Sequence, residues 1–254
     1  MAEGSGARLG SPRVHLRVTD STNARARALA LAAAPHGTLV TAEEQTAGHG
    51  RQGRRWFAPP RSALLMSLLL RTLPPLLPLA AAVAVCDVAG TDAGIKWPND
   101  VVVAEPSGSG EPGLAKLGGI LAEGRPQEGW LVLGVGLNVA VALAELPAQL
   151  RGGADGLPAA TMGRSPEEIE PILSQLLEAL AFRLAEPAQD TLAAWRERDA
   201  LRGREIVWAR GRGRAEGVDG AGRLVVLLSG GGRTALAAGE VHIGAPPGQP
   251  AAGA

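Results

Sequence analysis

The sequence changes character at about residue 201, and this change limits the fold to a chain of two unlike parts. Before it, apolar segments of strand length alternate with longer helical segments. After it, short β-prone segments alternate with glycine turns, at 205–210, 214–218, 224–228, 233–237 and 240–243. Such spacing is typical of a small β-barrel, here of about 45 residues. The sequence therefore predicts a first domain that mixes strands and helices, followed by an all-β domain.

Hydrophobic periodicity and capping residues locate the elements of the first domain. Strands are predicted at 14–19, 38–43, 63–71, 116–123 and 130–139, and strand material at 95–104 is interrupted by residues 97–100. Helices are predicted at 23–34, 79–89, 165–185 and 188–200. Ser21 or Thr22 is the expected N-cap of the first helix, and Ser165 with Glu168 forms a capping box at the third. Residues 1–12 and 246–254 are rich in small residues and proline, and we expect a disordered leader and tail there.

Charge balance and cysteine content exclude several classes of function. The chain has 254 residues, with 25 Lys and Arg against 25 Asp and Glu, so its formal net charge is zero. A protein that coats nucleic acid or an anionic membrane needs an excess of positive charge. The one cysteine, Cys86, permits neither an internal disulfide nor a Cys/His zinc site. The most apolar stretch, 73–86, is too short to span a bilayer, and residues 1–11 lack a signal-peptide core, so we expect a cytoplasmic protein.

The glycine-rich, basic segment 45–56 is the first candidate for a ligand site. It reads QTAGHGRQGRRW, with glycines at 48, 50 and 53 that allow close backbone approach to a ligand. Arg51, Arg54 and Arg55 suit a phosphate or carboxylate, and Trp56 can stack on a base. The segment matches neither a P-loop nor a dinucleotide-binding fingerprint. On composition alone, a solvated basic loop is an equal alternative.

Three further segments carry polar residues where strands are predicted. In Lys96-Trp97-Pro98-Asn99-Asp100, a lysine in an apolar strand is costly to bury without an anionic partner, although Asn-Asp is also common turn chemistry. In 116–121 (KLGGIL) and 134–138 (GVGLN), glycines within strands often mark close backbone approach. Together the segments predict an anionic ligand of some size, with two lysines and an arginine converging on it.

The order of these segments resembles that of the biotin–protein ligases, the biotin–[acetyl-CoA-carboxylase] ligases. The resemblance begins at Ser21-Thr22-Asn23 and includes the four segments just described, and the C-terminal part is similar to the family's small barrel. It covers residues 14–243. It implies an α+β fold, with a mixed β-sheet flanked by helices as in class II aminoacyl-tRNA synthetases and lipoate ligases, over residues 13–200. An SH3-like barrel over 201–245 would follow.

The resemblance also implies a two-step reaction. The biotin carboxylate attacks the α-phosphate of Mg-ATP to give biotinyl-5′-AMP and pyrophosphate. A lysine of a biotin carboxyl carrier domain then attacks the mixed anhydride and releases AMP. ATP and biotin are thus substrates, Mg²⁺ arrives with the nucleotide, and no separate protein metal site is expected.

The same resemblance assigns roles to individual residues. The catalytic residues are expected to be Arg51, Lys96, Lys116 and Asp100. The biotin-binding residues are expected to be Ser21, Thr22, Asn23, Gln45, His49, Gly50, Arg51, Lys96, Gly118 and Gly119. The ATP-binding residues are expected to be Arg51, Arg54, Trp56, Asn99, Lys116 and Asn138.

The chain departs from the family pattern at two places. Position 49 is His where Arg is frequent, which is expected to alter the charge of the loop at low pH. Residues 105–113 form an insertion whose Gly/Ser/Pro composition predicts a surface excursion.

Three alternatives compete with a biotin–protein ligase. A lipoate or octanoate ligase of the related fold is the nearest, and the segments at 45–56 and 96–100 favour biotin over it. A biotin-sensing repressor needs a winged helix of some 60 residues, and only about 13 residues precede the first predicted strand, so no DNA binding is expected. An RNA-binding patch at 202–214 is less favoured than turns of the barrel. We expect a monomer or homodimer with no membrane partner.

Overall fold

The computed structural model describes residues 8–105, 113–147, 157–237, 239 and 241–243. Its strands are β1 (Arg13–Thr19), β2 (Leu39–Gln45), β3 (Ala63–Leu70), β4 (Ala93–Lys96), β5 (Asp100–Glu105), β6 (Gly113–Arg125), β7 (Trp130–Asn138), β8 (Glu205–Trp208), β9 (Gly211–Val218), β10 (Leu224–Leu227), β11 (Arg233–Leu236) and β12 (His242–Ile243). Its helices are α1 (Thr22–Leu31), α2 (Leu77–Ala89), α3 (Ile169–Ala185) and α4 (Ala188–Glu197). No helix within these residues is both long and apolar enough to cross a membrane.

A seven-stranded sheet forms the centre of the first part, in the order β1-β2-β3-β7-β6-β5-β4. Strands β1 and β2 are parallel, and the remaining neighbours are antiparallel, so the sheet is mixed as predicted. Every residue of β3 is buried, which fits its central place and its almost unbroken run of Leu and Met.

Helices cover both faces of this sheet because alternate residues of β3 point to opposite sides. Met66 and Leu68 belong to the main core with α2, whereas Leu69 packs with Ala26 of α1 and Val40 of β2. Helix α2 packs in turn against α3 and α4. Sheet and helices therefore form the mixed α/β arrangement that the sequence predicts.

The local predictions for helix starts and for the break after Lys96 are confirmed. Ser21 is the N-cap of α1, and the capping box of Ser165 and Glu168 precedes α3 through a short 3-10 turn. Residues 97–99 separate β4 from β5, which pair with each other as a hairpin.

The predicted leader and tail lie partly outside the described residues. Residues 1–7, the tail 246–254 and residues 106–112 of the insertion lie outside the described residues. Residues 8–12 do not: the Gly10 amide donates to the Gly37 carbonyl at 2.9 Å, so contacts of the fold begin before the predicted boundary at residue 13.

The C-terminal part is a five-stranded antiparallel sheet in the order β11-β10-β9-β8-β12. Among the described residues, the two outer strands do not pair with each other, so the sheet is not closed and an SH3-like barrel stays a prediction.

The two sheets share one hydrophobic core. Ile206, Val218 and Leu224 of the second sheet belong to the same buried cluster as α2 and α4. The buried indole of Trp97 donates from Nε1 to the carbonyl oxygen of Gly222 at 3.1 Å. A turn of the second sheet is thereby attached directly to the segment between Lys96 and Asp100.

A buried carboxyl group lies at this junction. Asp199 follows α4, and its Oδ1 accepts the backbone N–H of Leu201 at 2.9 Å. Its Oδ2 is buried and has no hydrogen-bond partner among the described residues. Burial, only partly offset by backbone hydrogen bonds, raises the pKa of Asp199 to about 6.

We predict that Asp199→Asn stabilises the protein above pH 6. The pKa in the unfolded chain is the ordinary 3.8, so ionisation of the folded state opposes folding increasingly as pH rises from about 4 to about 6. The penalty removed by Asn is on the order of 1–3 kcal/mol, because one pKa unit corresponds to about 1.4 kcal/mol. Urea unfolding of both proteins at several pH values measures it. A difference in unfolding free energy that does not change with pH would contradict this assignment.

Candidate functional site

A cleft on the α1 side of the large sheet collects most of the predicted site residues. It lies between the segment 45–57, the start of α1 and strands β3, β6 and β7. The lining residues predicted from the sequence are Ser21, Thr22, Asn23, Gln45, His49, Gly50, Arg51, Arg54, Trp56, Asn99, Lys116, Gly119 and Asn138.

One end of the cleft is built from uncharged polar groups at the start of α1. The Oε1 atom of Gln45 accepts the backbone N–H of Thr22 at 2.7 Å and its hydroxyl at 3.0 Å. These two bonds fix the orientation of the Gln45 amide, because its carbonyl oxygen faces Thr22. Its Nε2 group is then a donor on the other side.

Asn23 belongs to a second set of hydrogen bonds at this end. Its Oδ1 accepts from the Ser67 hydroxyl at 2.5 Å, and its Nδ2 donates to Glu123 Oε2 at 2.8 Å. The amide also fills the space above Gly134, where any Cβ would collide with Asn23 Oδ1. A glycine in β7 is therefore required for this arrangement of Asn23.

The indole of Trp56 lies on the strands in the middle of the cleft. A Cβ on Gly136 would be 2.6 Å from Trp56 Cε2, and one on Gly119 would be 3.4 Å from Trp56 Cζ3. The two glycines, on neighbouring strands, therefore leave the space that the ring occupies. The Trp56 Nε1 is buried and has no hydrogen-bond partner among the described residues.

The other end of the cleft is cationic and is organised by Asp100. This carboxylate is buried, with Lys116 Nζ at 2.8 Å from Oδ1 and Lys96 Nζ at 3.8 Å from Oδ2. The Lys96 side chain is 3% exposed and that of Lys116 is 21% exposed, so Lys116 is the ammonium group that reaches the cleft. The predicted need of Lys96 for an anionic partner is met by Asp100. These are the chain's two lysines.

Arg51, Asn99 and Trp56 also lie at the cationic end of the cleft. Arg51 Nη1 donates to Asn99 Oδ1 at 3.4 Å, and Asn99 Nδ2 donates to the Ile120 carbonyl at 2.8 Å. The Lys116 ammonium lies 6.0 Å from the centroid of the Trp56 ring. The glycine-rich segment and the Lys-Asn-Asp segment thus meet, although they are far apart in the sequence.

Three predicted site residues do not line the cleft. Lys96 and Asp100 lie behind Lys116, because β4, β5 and β6 are neighbours in the sheet. Gly118 has a different reason to be glycine: a Cβ there would lie 2.9 Å from the Gly136 carbonyl oxygen on β7. Close packing of β6 on β7 therefore accounts for this glycine, and a contact of Gly118 with a ligand stays a prediction.

Two residues that contact the predicted set were missed. Ser67 is the one polar residue of β3 and bonds both Thr22 and Asn23, and a lone serine in an apolar strand was a usable signal. Glu123 lies near the end of β6, where a charged residue gives no signal of its own.

Comparison with known proteins gives the fold and the class. The chain superimposes on the biotin protein ligase from Aquifex aeolicus in complex with biotin and ATP with a TM-score of 0.74, at 24% identity over 91% of this chain and 97% of that one. The chain therefore has the fold of this biotin protein ligase.

Sequence comparison then gives the family. Residues 15–139 match the model of the biotin/lipoate A/B protein ligase family. The biotin–[acetyl-CoA-carboxylase] ligase of Mycobacterium tuberculosis is 35% identical over 246 residues, which cover 88% of this chain and 85% of that protein. The bifunctional ligase/repressor BirA of Bacillus spizizenii is 37% identical over 161 residues, 59% of this chain, and the match spans about half (47%) of that protein. The chain belongs to the biotin/lipoate A/B protein ligase family, and its resemblance to the biotin–protein ligases is confirmed.

We predict that Gly136→Ala displaces the Trp56 ring from the floor of the cleft. The new methyl group would lie 2.6 Å from a ring atom, which is closer than contact distance, so the ring must move. Tryptophan emission and its quenching by acrylamide measure the change. Gly220→Ala is the matched control, since a Cβ there meets nothing within 4 Å. The same spectral change in a Trp56→Phe background would contradict the assignment, because the signal would then come from another tryptophan.

Proposed function

We propose that this protein is an ATP-dependent biotin–protein ligase that forms biotinyl-5′-AMP and transfers biotin to a lysine of a carrier domain. The observation that carries the proposal is the polarity of the cleft. Uncharged donors and acceptors lie at one end, Lys116 and Arg51 at the other, and a flat indole between them. The names of the relatives support it, since the M. tuberculosis protein is a biotin–[acetyl-CoA-carboxylase] ligase and the A. aeolicus structure holds biotin and ATP.

The uncharged end suits the ureido head of biotin. Ureido N–H groups need acceptors and the ureido carbonyl needs donors, and Ser21, Thr22, Asn23 and Gln45 offer both. The hydrogen bonds that fix the amides of Gln45 and Asn23 preorganise this end. His49, Gly50 and Arg51 belong to the loop that covers the valeryl chain.

The cationic end suits the first chemical step. A carboxylate oxygen forms a bond to the α-phosphorus of ATP while the bond from that phosphorus to the pyrophosphate oxygen breaks. The two reactants are anions and repel each other, so cations around both lower the barrier, most effectively where water is excluded. We assign this task to Lys116 and Arg51. Asp100 is the positioning group that holds the Lys116 ammonium from behind, and Lys96 is the second cationic partner of Asp100.

The nucleotide is assigned to the region around Trp56. The adenine ring stacks on the indole, with Arg54, Asn99 and Asn138 as its other polar neighbours. Mg²⁺ arrives with the triphosphate as part of the substrate, which fits a site with one buried carboxylate already between two lysines. Among the described residues, no group of three or more His, Cys, Asp or Glu side chains could hold a metal ion.

In the second step, an amine of the acceptor lysine attacks the acyl carbon. A C–N bond forms, the C–O bond to AMP breaks, and the ammonium proton leaves. The acceptor is the biotin carboxyl carrier domain of a carboxylase, with neither DNA nor a membrane as partner. We further propose a catalytic domain over 13–200 and closure of the second sheet as an SH3-like barrel over 201–245. Its Gly222 carbonyl oxygen holds the indole of Trp97, which is next to Lys96 in the chain.

Exchange of labelled pyrophosphate into ATP tests the proposed function directly. Exchange is expected with biotin and Mg²⁺ present and not without either. Lipoate and octanoate are the controls. Exchange with lipoate or octanoate but none with biotin would move the assignment to the related ligases.

We predict different defects for Arg51→Gly and Lys116→Ala. Loss of a charge-assisted hydrogen bond costs on the order of 1.5–3 kcal/mol, or about 10- to 100-fold in a rate or binding constant. Arg51→Gly should still form biotinyl-AMP but release it about 10- to 100-fold faster, because Lys116 remains for the phosphate. Lys116→Ala should slow adenylate formation by a similar factor with little release.

Single-turnover adenylate formation and release, with labelling of an added bystander protein, measure these defects. A bystander is needed because the enzyme's own two lysines are buried or paired. Arg210→Gly removes an exposed charge from the turn between β8 and β9, which does not line the cleft, and is the matched control. If Arg51→Gly retained the intermediate while Lys116→Ala released it, the division of roles would be reversed.

A further inference from the structure

One carboxylate, that of Glu123, connects three elements at the rim of the cleft. From β6, its Oε2 accepts from Asn23 Nδ2 at 2.8 Å and lies 3.7 Å from Nε2 of His49. Its Oε1 lies 3.7 Å from Nη1 of Arg27 on α1. The Glu123 side chain is only 26% exposed, so these contacts are partly shielded from water.

The loop around His49 is held together internally. His49 and Arg55 form an antiparallel backbone bridge, the Gly50 amide donates to the Arg54 carbonyl at 2.7 Å, and the Trp56 amide donates to the Gly48 carbonyl at 2.9 Å. These bonds join the two sides of the loop, so a contact made at His49 is connected to the rest of residues 48–56. A tether at His49 therefore controls the position of the whole loop, Arg51 included.

The charges around His49 make this tether dependent on pH. The charged groups that face it are Glu123 from β6 and, beyond Glu123, Arg27 from α1, while Arg55 is its bridge partner within the loop. Arg27 and Arg55 keep their charge throughout the range in which histidine titrates. A protonated His49 forms an ion pair with the Glu123 carboxylate, whereas a neutral His49 does not.

We propose that Glu123 is a positioning residue that holds the loop over the cleft through His49, more tightly when His49 is protonated. The covered ligand is biotin and its adenylate, and this part rests on the proposed function. Lower pH then favours the closed loop and retention of the intermediate, whereas higher pH favours its opening. Glu123 also fixes the Asn23 amide by a bond that does not depend on His49.

The pH is expected to change the position of the loop only modestly, because the His49–Glu123 pair is partly exposed to solvent. Ion pairs of this kind change an equilibrium by about two- to fivefold. Hydrogen–deuterium exchange of residues 46–55 in the ligand-free protein, corrected for intrinsic rates, should be two- to fivefold slower at pH 6 than at pH 8 by this principle.

Substitutions distinguish the effect of the Glu123 charge on His49 from that of the hydrogen bond between Glu123 and Asn23. Glu123→Gln keeps an acceptor for Asn23 but removes the ion pair, so the pH effect on the loop should disappear. His49→Arg should keep the loop slow to exchange at both pH values, and His49→Gln should leave it fast at both. His15→Gln is the matched control, because His15 Nε2 lies at the same 3.7 Å from Glu43 Oε1 at another place on the sheet. It should leave the loop unchanged.

The outcomes distinguish the tether from the proposed function, since pyrophosphate exchange is measured on the same preparations. Loop exchange that is independent of pH in the wild type, or a pH effect that survives Glu123→Gln, would overturn the tether even if biotin-dependent activity is present. A pH effect that Glu123→Gln abolishes supports the tether even if the preparations fail to use biotin. In that case only the proposed function is lost.

Discussion

The structure of the site depends on one buried carboxylate between two ammonium groups. Asp100 contacts Lys96 and Lys116, and the carboxylate is almost completely removed from water. A buried charge without partners is strongly unfavourable, and removal of one partner of a buried pair typically destabilises a protein by about 3–5 kcal/mol. Because Lys96, Asp100 and Lys116 come from β4, β5 and β6, their contacts require these three strands to keep their register. The contact with Asp100 also holds the Lys116 ammonium group at the wall of the cleft, where its side chain is mostly shielded from solvent.

The positions of Trp56 and Asn23 in the cleft also depend on strand register. With β6 and β7 paired, Gly119 and Gly136 stand opposite each other and leave the space in which Trp56 lies. On the same face of β7, Gly134 leaves space for Asn23. Small residues on the sheet thus let side chains from α1 and the loop lie directly on the strands. The loop is therefore held in two ways, by the backbone hydrogen bonds within it and by the packing of Trp56 on the sheet.

Local signals in the sequence predicted most of the elements, because capping boxes, glycine turns and strand periodicity act over a few residues. The anionic partner of Lys96 was likewise expected from the cost of burying an ammonium group. The burial of Asp100 behind Lys116 and the contact of Glu123 with His49 were not predicted. Both depend on which strands are neighbours, and the pairing of β5 with β6 leaves no mark on a single segment. Gly118 lies in the segment 116–121, which was predicted to bind a ligand. In the structure a Cβ at Gly118 would lie 2.9 Å from the Gly136 carbonyl oxygen, so strand packing accounts for this glycine.

The central claim is that the cleft brings a carboxylate oxygen onto the α-phosphorus of a nucleotide, and isotope transfer measures this most directly. Biotin labelled with ¹⁸O in its carboxylate is incubated with the protein, Mg-ATP and a carrier domain, and the released AMP is analysed by mass spectrometry. The account predicts one ¹⁸O atom in the phosphate of each AMP formed, because the attacking oxygen stays on phosphorus when the lysine amide forms. AMP without ¹⁸O, released in step with biotinylated carrier, would contradict it.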